Sequence, residues 1–280
     1  GAPMSAAPTL PDGPSSTGET MESRATSDDA VSVAGLLVTG LLAGVSVPFM
    51  RAASHHGIAP LTWTLVTSAI AASLLITGSL ARRARLGAGW RHLAFYAAAG
   101  LFSIALPNVL LFAVTRALGA ATASLAYTLP PVMTVALAFL TGIERATARR
   151  VAGLAVGLAG TLAAVLPGRA LPVDVPWSSA LFLLLVPLSI AIGNLIRARF
   201  WPMGSDALAN AAGTTAAGAL WLACALFASA PAASFERAPG GVLLLAIPQG
   251  TAYALSMVLF FWLQRRAGAV FTSQVGYVAT

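Results

Sequence analysis

The scarcest thing in this chain of 280 residues is acid. Between Val31 and Thr280 there are four carboxylates, Glu144, Asp174, Asp206 and Glu236. Each sits in a short polar break between long runs of Ala, Leu, Val, Gly and Phe. Charged residues make up 9% of the chain, where a soluble domain carries about 25%. A soluble fold would have to enclose several helices that are apolar all round, more than this length allows. The expected class is therefore all-α integral membrane, with the lipid bilayer as its main partner. Lysine is absent, so all 16 basic residues are Arg. They recur at the ends of apolar runs and form no single basic face. That excludes nucleic acid as a partner despite a net charge of +7, and it fits membrane topology signals. The single cysteine, Cys224, has no disulfide partner in the chain and reads as a buried structural thiol. No Cys/His cluster, Gly-rich phosphate loop, nucleophile–base pair or paired acid within a span is present. No catalytic residue, metal or cofactor is expected, and the chain reads as a non-enzyme.

What is present is a series of spans. Residues 1–30 are rich in Pro, Ser, Thr, Gly and Asp and read as a disordered cytoplasmic tail. They lack the basic-then-apolar order of a signal peptide. Apolar runs follow at 31–50, 59–80, 92–115, 118–141, 150–167, 177–197, 207–230 and 240–262, with a ninth from 268. A crossing helix needs roughly 20 such residues. No Arg, Asp or Glu is expected within them, because charge at that depth is costly. With the N-terminus inside, eleven Arg residues fall in inner breaks, Arg149, Arg150, Arg197, Arg265 and Arg266 among them. Four fall outside: Arg51, Arg116, Arg169 and Arg237. This positive-inside bias sets the expected orientation. His55 and His56 then occupy the first outer loop, as an ordinary exposed pair.

The chain also echoes itself. Arg116-Ala-Leu-Gly119-Ala120-Ala-Thr-Ala-Ser124 returns 149 residues later as Arg265-Arg-Ala-Gly268-Ala269-Val-Phe-Thr-Ser273. Five spans at 31–167, a break at 168–176 and a restart at 177–280 divide the chain into two copies. Five is odd, so the second copy enters from the opposite side, giving an inverted repeat. By this offset Thr280 corresponds to Pro131. Ten helices are expected, about eight and a half are present, and the second copy is incomplete. The sequence reads as a fragment lacking its tenth span.

The segment Tyr127-Thr-Leu-Pro130-Pro131 through Gly142-Ile-Glu144-Arg145, followed by Gly153, Gly157 and Gly160, resembles the EamA domain of the drug/metabolite transporter superfamily. Ser273-Gln274-Val-Gly276-Tyr277 looks like the start of the matching ninth-span motif. The resemblance covers residues 31–280 and implies two inverted five-helix repeats around a central cavity. The fifth and tenth helices pack outside it, often in dimer contacts, so a homodimer is possible. The implied activity is export of a small metabolite, amino acid or amphiphilic compound across a bacterial inner membrane. The competing classes are a non-functional truncated product and a membrane-embedded enzyme.

The candidate substrate-binding residues are Asn108, Tyr127, Pro130, Gln249, Tyr253, Gln274, Tyr277 and Trp221. The amides and phenols are rare polar groups at depth, and a buried amide needs partners. Asn194 reads instead as a helix–helix contact. Pro130-Pro131 within the fourth span would free carbonyls one turn earlier, giving either a kink beside the cavity or a structural bend. Trp63, Trp90, Trp177, Trp201 and Trp262 read as interface anchors, and Trp221, deeper in its span, as a cavity wall. Glu144 reads as a solvated helix-end charge. A cavity of neutral amides and tyrosines would suit a small zwitterion or a neutral amphiphile.

Overall fold

A computed structural model of the protein describes residues 16–84, 86–143, 147–165, 177–229 and 240–279. Glu144, Asp174, Glu236 and the break at 168–176 lie outside the described residues. Among the described residues there is helix and turn but no strand, an all-α membrane fold. Six helices are long and apolar enough to cross a membrane: Asp29–His55, Pro60–Ala81, Trp90–Thr115, Leu181–Arg199, Ala207–Ala228 and Leu244–Ser273. Pro130–Leu140 and Val151–Gly160 are shorter apolar helices, at the places of the fourth and fifth expected spans.

Helix α1 runs Ser16–Gly44, so residues 16–30 are helical where the composition predicts disorder. The prolines of the tail end at Pro14, and Ser16-Thr-Gly-Glu19 has the spacing of a capping box. After Val45 the chain continues as α2, Ser46–His55, and then α3, Pro60–Ala81. Next comes α4, Trp90–Gly100, which passes through a π-helical turn at Leu101–Ala105 into α5, Leu106–Ala123. Pro107 explains the turn's position, since it has no N–H to offer the carbonyl one turn back. The ladder slips by one residue there, and the Leu106 N–H donates to the Leu101 carbonyl.

The fourth expected span is not one helix. A 3-10 turn, Ser124–Tyr127, separates α5 from α6, Pro130–Leu140. Pro130 and Pro131 occupy the first two positions of α6. Neither the kink nor the bend within a continuous helix therefore applies. At a helix start their missing N–H groups cost nothing and their fixed φ suits the first turn. Helix α7 is Ala148–Val165, α8 Trp177–Arg199 and α9 Ala207–Ser229. Asp206 caps α9, its carboxylate accepting from the Ala209 N–H at 2.6 Å. Helix α10 spans Gly240–Ser273 but breaks at Gly268 (φ 86, ψ 173), a backbone only glycine adopts readily. A short α11, Val275–Ala279, follows.

Small side chains set the packing. Ala71 of α3, Ala211 and Ala212 of α9 and Ala254 of α10 meet in one core cluster with Phe95, Tyr96 and Phe261, the close approach that membrane helices favour. Helix α3 packs along α9; α3 also contacts α10, and α9 contacts α4. Helix α8 lies against α5 and α6, and α1 lies against α10 and α11. Lipid-facing stripes are equally clear. On α9, Leu220, Trp221, Cys224 and Phe227 form one exposed face at helical spacing. Cys224 is thus exposed rather than buried. In a membrane helix an apolar position mid-run faces lipid as readily as core.

Candidate functional site

Four helices converge on one buried cation. Arg197 lies in the last turn of α8 and is only 3% exposed. The sequence places it in an inner loop. The helix instead runs on to Arg199, and Arg197 shares the inward face of Gly193 and Asn194 one turn earlier. Its Nε donates to Gln264 Oε1 at 2.8 Å, one terminal nitrogen donates to Asn194 Oδ1 at 2.5 Å, and the other donates to Ser103 Oγ. Gln264 in turn donates to the Asn194 carbonyl at 2.7 Å, and Asn194 Nδ2 to Thr134 Oγ1 at 3.0 Å. The guanidinium carbon lies 4.9 Å from the Phe260 ring centre and 5.5 Å from that of Phe261. The network ties the π-helical turn, α6, α8 and α10 together.

Every one of these acceptors is neutral. Of the acids after Val31 only Asp206 is described, and it is exposed and caps α9. Hydrogen bonds to a charged group contribute about 1.5–3 kcal/mol each, an aromatic face about 2 kcal/mol when desolvated, and a helix C-terminus up to about 2 kcal/mol. Together these hold a guanidinium in a site where desolvation costs several kcal/mol. They satisfy its donors without cancelling its charge. Among the described residues three of its N–H groups are engaged, of the five a guanidinium carries.

One of the residues singled out from the sequence lies near this cation, and a second lies near the first. Tyr253 of α10 is within electrostatic range of both Arg197 and Tyr127, and both phenol residues keep part of their surface accessible. Gln249, Tyr253, Phe260 and Gln264 fall on one face of α10 by helical spacing. Gln249 itself is buried and accepts from Trp63 Nε1 at 2.6 Å. Trp63 is 1% exposed, so it is a core residue and no interface anchor. Asn108 folds back on its own helix, donating to the Ile104 carbonyl at 2.6 Å beside the π-helical turn. Asn194 is a helix–helix contact as expected, and also a ligand of Arg197.

The remaining candidates are elsewhere. Pro130 is buried at the start of α6. Gln274 sits at the joint of α10 and α11, where its N–H donates to the Phe271 carbonyl. The Tyr277 ring lies against Gly157 of α7, away from Tyr253. Trp221 is 40% exposed in the lipid-facing stripe of α9 and donates to the Ala97 carbonyl at 3.1 Å.

Arg197, Gln264 and Ser103 are the residues that sequence reasoning misses. The expected spans end at 197 and 262, which puts Arg197 at the membrane edge and Gln264 in a loop. Extending the face of Gln249 and Tyr253 along the helix reaches Gln264. The Gly268 break marks where that helix limb ends.

Residues 31–166 match the EamA-like transporter family. This part of the chain belongs to that family, and the protein is a membrane transporter of the drug/metabolite type. No curated protein matches the chain. A solved structure titled only "Crystal structure of protein" is similar at 20% identity, with a TM-score of 0.63. The similarity covers 87% of this chain and 86% of that one, and at this identity the likeness is one of fold.

Proposed function

We propose that the protein is a secondary transporter that exports a small metabolite or amphiphilic compound across a bacterial inner membrane. Cargo passes through the centre of the bundle, between two inverted repeats at 31–167 and 177–280, with the N-terminus cytoplasmic. The observation that carries this reading is the polar network around Arg197 inside an EamA-type bundle, joined by residues from both halves of the chain, with Tyr253 in electrostatic range of both Arg197 and Tyr127 and both tyrosines partly accessible. The contact pattern supports the repeat. Exchanging the halves turns the α3–α10 contact into α9–α4, turns the α6–α8 contact into α11–α1, and maps α3–α9 onto itself. Tyr127, Tyr253 and Gln249 are the residues proposed to face cargo, with Asn108, Pro130 and Gln274 shaping the breaks beside it.

The test is counterflow in proteoliposomes holding the full chain, with a panel of labelled amino acids, organic acids, amines and amphiphiles. Saturable accumulation of some member is expected, abolished by excess unlabelled solute. Leakage identical to empty vesicles for every member would overturn the reading.

A further inference from the structure

We infer that Arg197 is an anion-binding residue, and that the cargo of this protein is an organic acid with an apolar or aromatic body. The inference rests on the interior being the cargo path, and it names the class of that cargo.

The first observation is a charge without a counter-charge. Arg197 is buried inside the bundle, and its partners Ser103, Asn194 and Gln264 are all neutral. An ionisable side chain buried among spanning helices is a functional-site candidate, and its partner must be named. No carboxylate pairs with it among the described residues, and an anion carried in by the cargo would supply the missing charge.

The second observation is geometric. A guanidinium presents a planar fork suited to the two oxygens of a carboxylate, and two of its N–H groups are unused by the described side chains. Asn194 and Gln264 hold the fork's orientation through a second pair of hydrogen bonds, Gln264 Nε2 to the Asn194 carbonyl and Asn194 Nδ2 to Thr134. Ser103 is the one hydroxyl among the three acceptors, on a single-carbon arm at the π-helical turn, an irregularity often found at working sites. An arriving carboxylate takes the two free N–H groups or displaces Ser103.

The third observation is the surroundings. Tyr253 is within electrostatic range of the cation and of Tyr127, and the Phe260 and Phe261 rings lie over the guanidinium. These surfaces fit an apolar or aromatic body. The described residues around Arg197 offer no carboxylate to an ammonium group. An amino acid zwitterion would leave its ammonium unpaired, whereas a simple organic acid satisfies the site. The sequence suggests a zwitterion or a neutral amphiphile only because it places Arg197 outside the bundle.

The experiment uses the purified full chain in detergent, with binding read by tryptophan fluorescence and by thermal unfolding. The probes are phenylacetate, phenylacetamide and L-phenylalanine, which share a ring and differ in charge. Phenylacetate is expected to bind about tenfold or more tightly than either of the others, the difference a charge-assisted fork provides. In Arg197→Gln that preference disappears, in Arg197→Lys it shrinks, and in Ser103→Ala it persists. Equal binding of phenylacetate and phenylacetamide by the wild type overturns the inference, even if Arg197→Gln does not fold. So does a preference that survives in Arg197→Gln. Counterflow separates the two proposals. Carriage of neutral or zwitterionic solutes without any anion preference defeats the anion site and leaves transport standing. An anion preference that is lost in Arg197→Gln, with no flux of any solute, defeats transport and leaves the anion site standing.

Discussion

Trp63 and Gln249 illustrate how a single hydrogen bond holds two membrane helices in register. The indole N–H and the amide oxygen are both buried and meet at 2.6 Å across α3 and α10. Removing one partner strands the other, and a buried polar group left unpaired costs about 1–3 kcal/mol. Trp63→Phe is therefore expected to lower the thermal midpoint in detergent by that equivalent. The double variant Trp63→Phe/Gln249→Leu should regain part of the loss, because it removes both polar groups. A midpoint unchanged in Trp63→Phe would show the bond to be dispensable. Cys224 carries a second prediction at this scale. Its exposed place in an apolar stripe of α9 means that membrane-permeant maleimide should label it in vesicles while a charged sulfonate reagent should not. Protection from both would return the thiol to the core.

At the scale of elements, the breaks matter more than the helices. The π-helical turn at Leu101–Ala105 brings Ser103 to Arg197, and this needs a neighbour without a side chain. Gly193 is that neighbour: a Cβ there would collide with Ser103. Gly193→Ala is expected to cost about 1–3 kcal/mol by overpacking and to weaken the Arg197 network. Gly160→Ala on α7, where nothing lies within reach, should instead stabilise by up to about 1 kcal/mol through helix propensity. Unfolding midpoints of the two variants compared side by side check both signs. The contrast also explains what could be read in advance. The apolar runs located α3, α8, α9 and the first limb of α10 to within a few residues, since length and hydropathy act locally. The ninth span is expected to start at 268, and α10 breaks at Gly268. The sequence could not reveal that Pro130-Pro131 opens a helix, or that α8 carries its arginine inward. Both depend on which face a neighbouring helix covers. Tyr127 and Tyr253 were legible as rare polar residues at depth. Trp221 and Tyr277 looked alike in sequence, yet Trp221 lies in the exposed stripe of α9 and the Tyr277 ring packs on Gly157 of α7, because hydropathy does not say which neighbour covers a given face.

For the whole molecule, the proposed transport requires a water-accessible path through the bundle beside Tyr253 and Arg197. The scarcity of acid sharpens it. With no described carboxylate near the cation, an anion from outside would complete the site. The most direct measurement is cysteine accessibility in vesicles, using a Cys224→Ala background so that each introduced thiol is alone. Tyr253→Cys is compared with Leu255→Cys, whose native side chain is 54% exposed on the outer face of α10. A charged, membrane-impermeant thiol reagent is expected to modify the residue at 253 and not the one at 255, and phenylacetate is expected to slow the modification. A residue at 253 as inert as the one at 255 would contradict it.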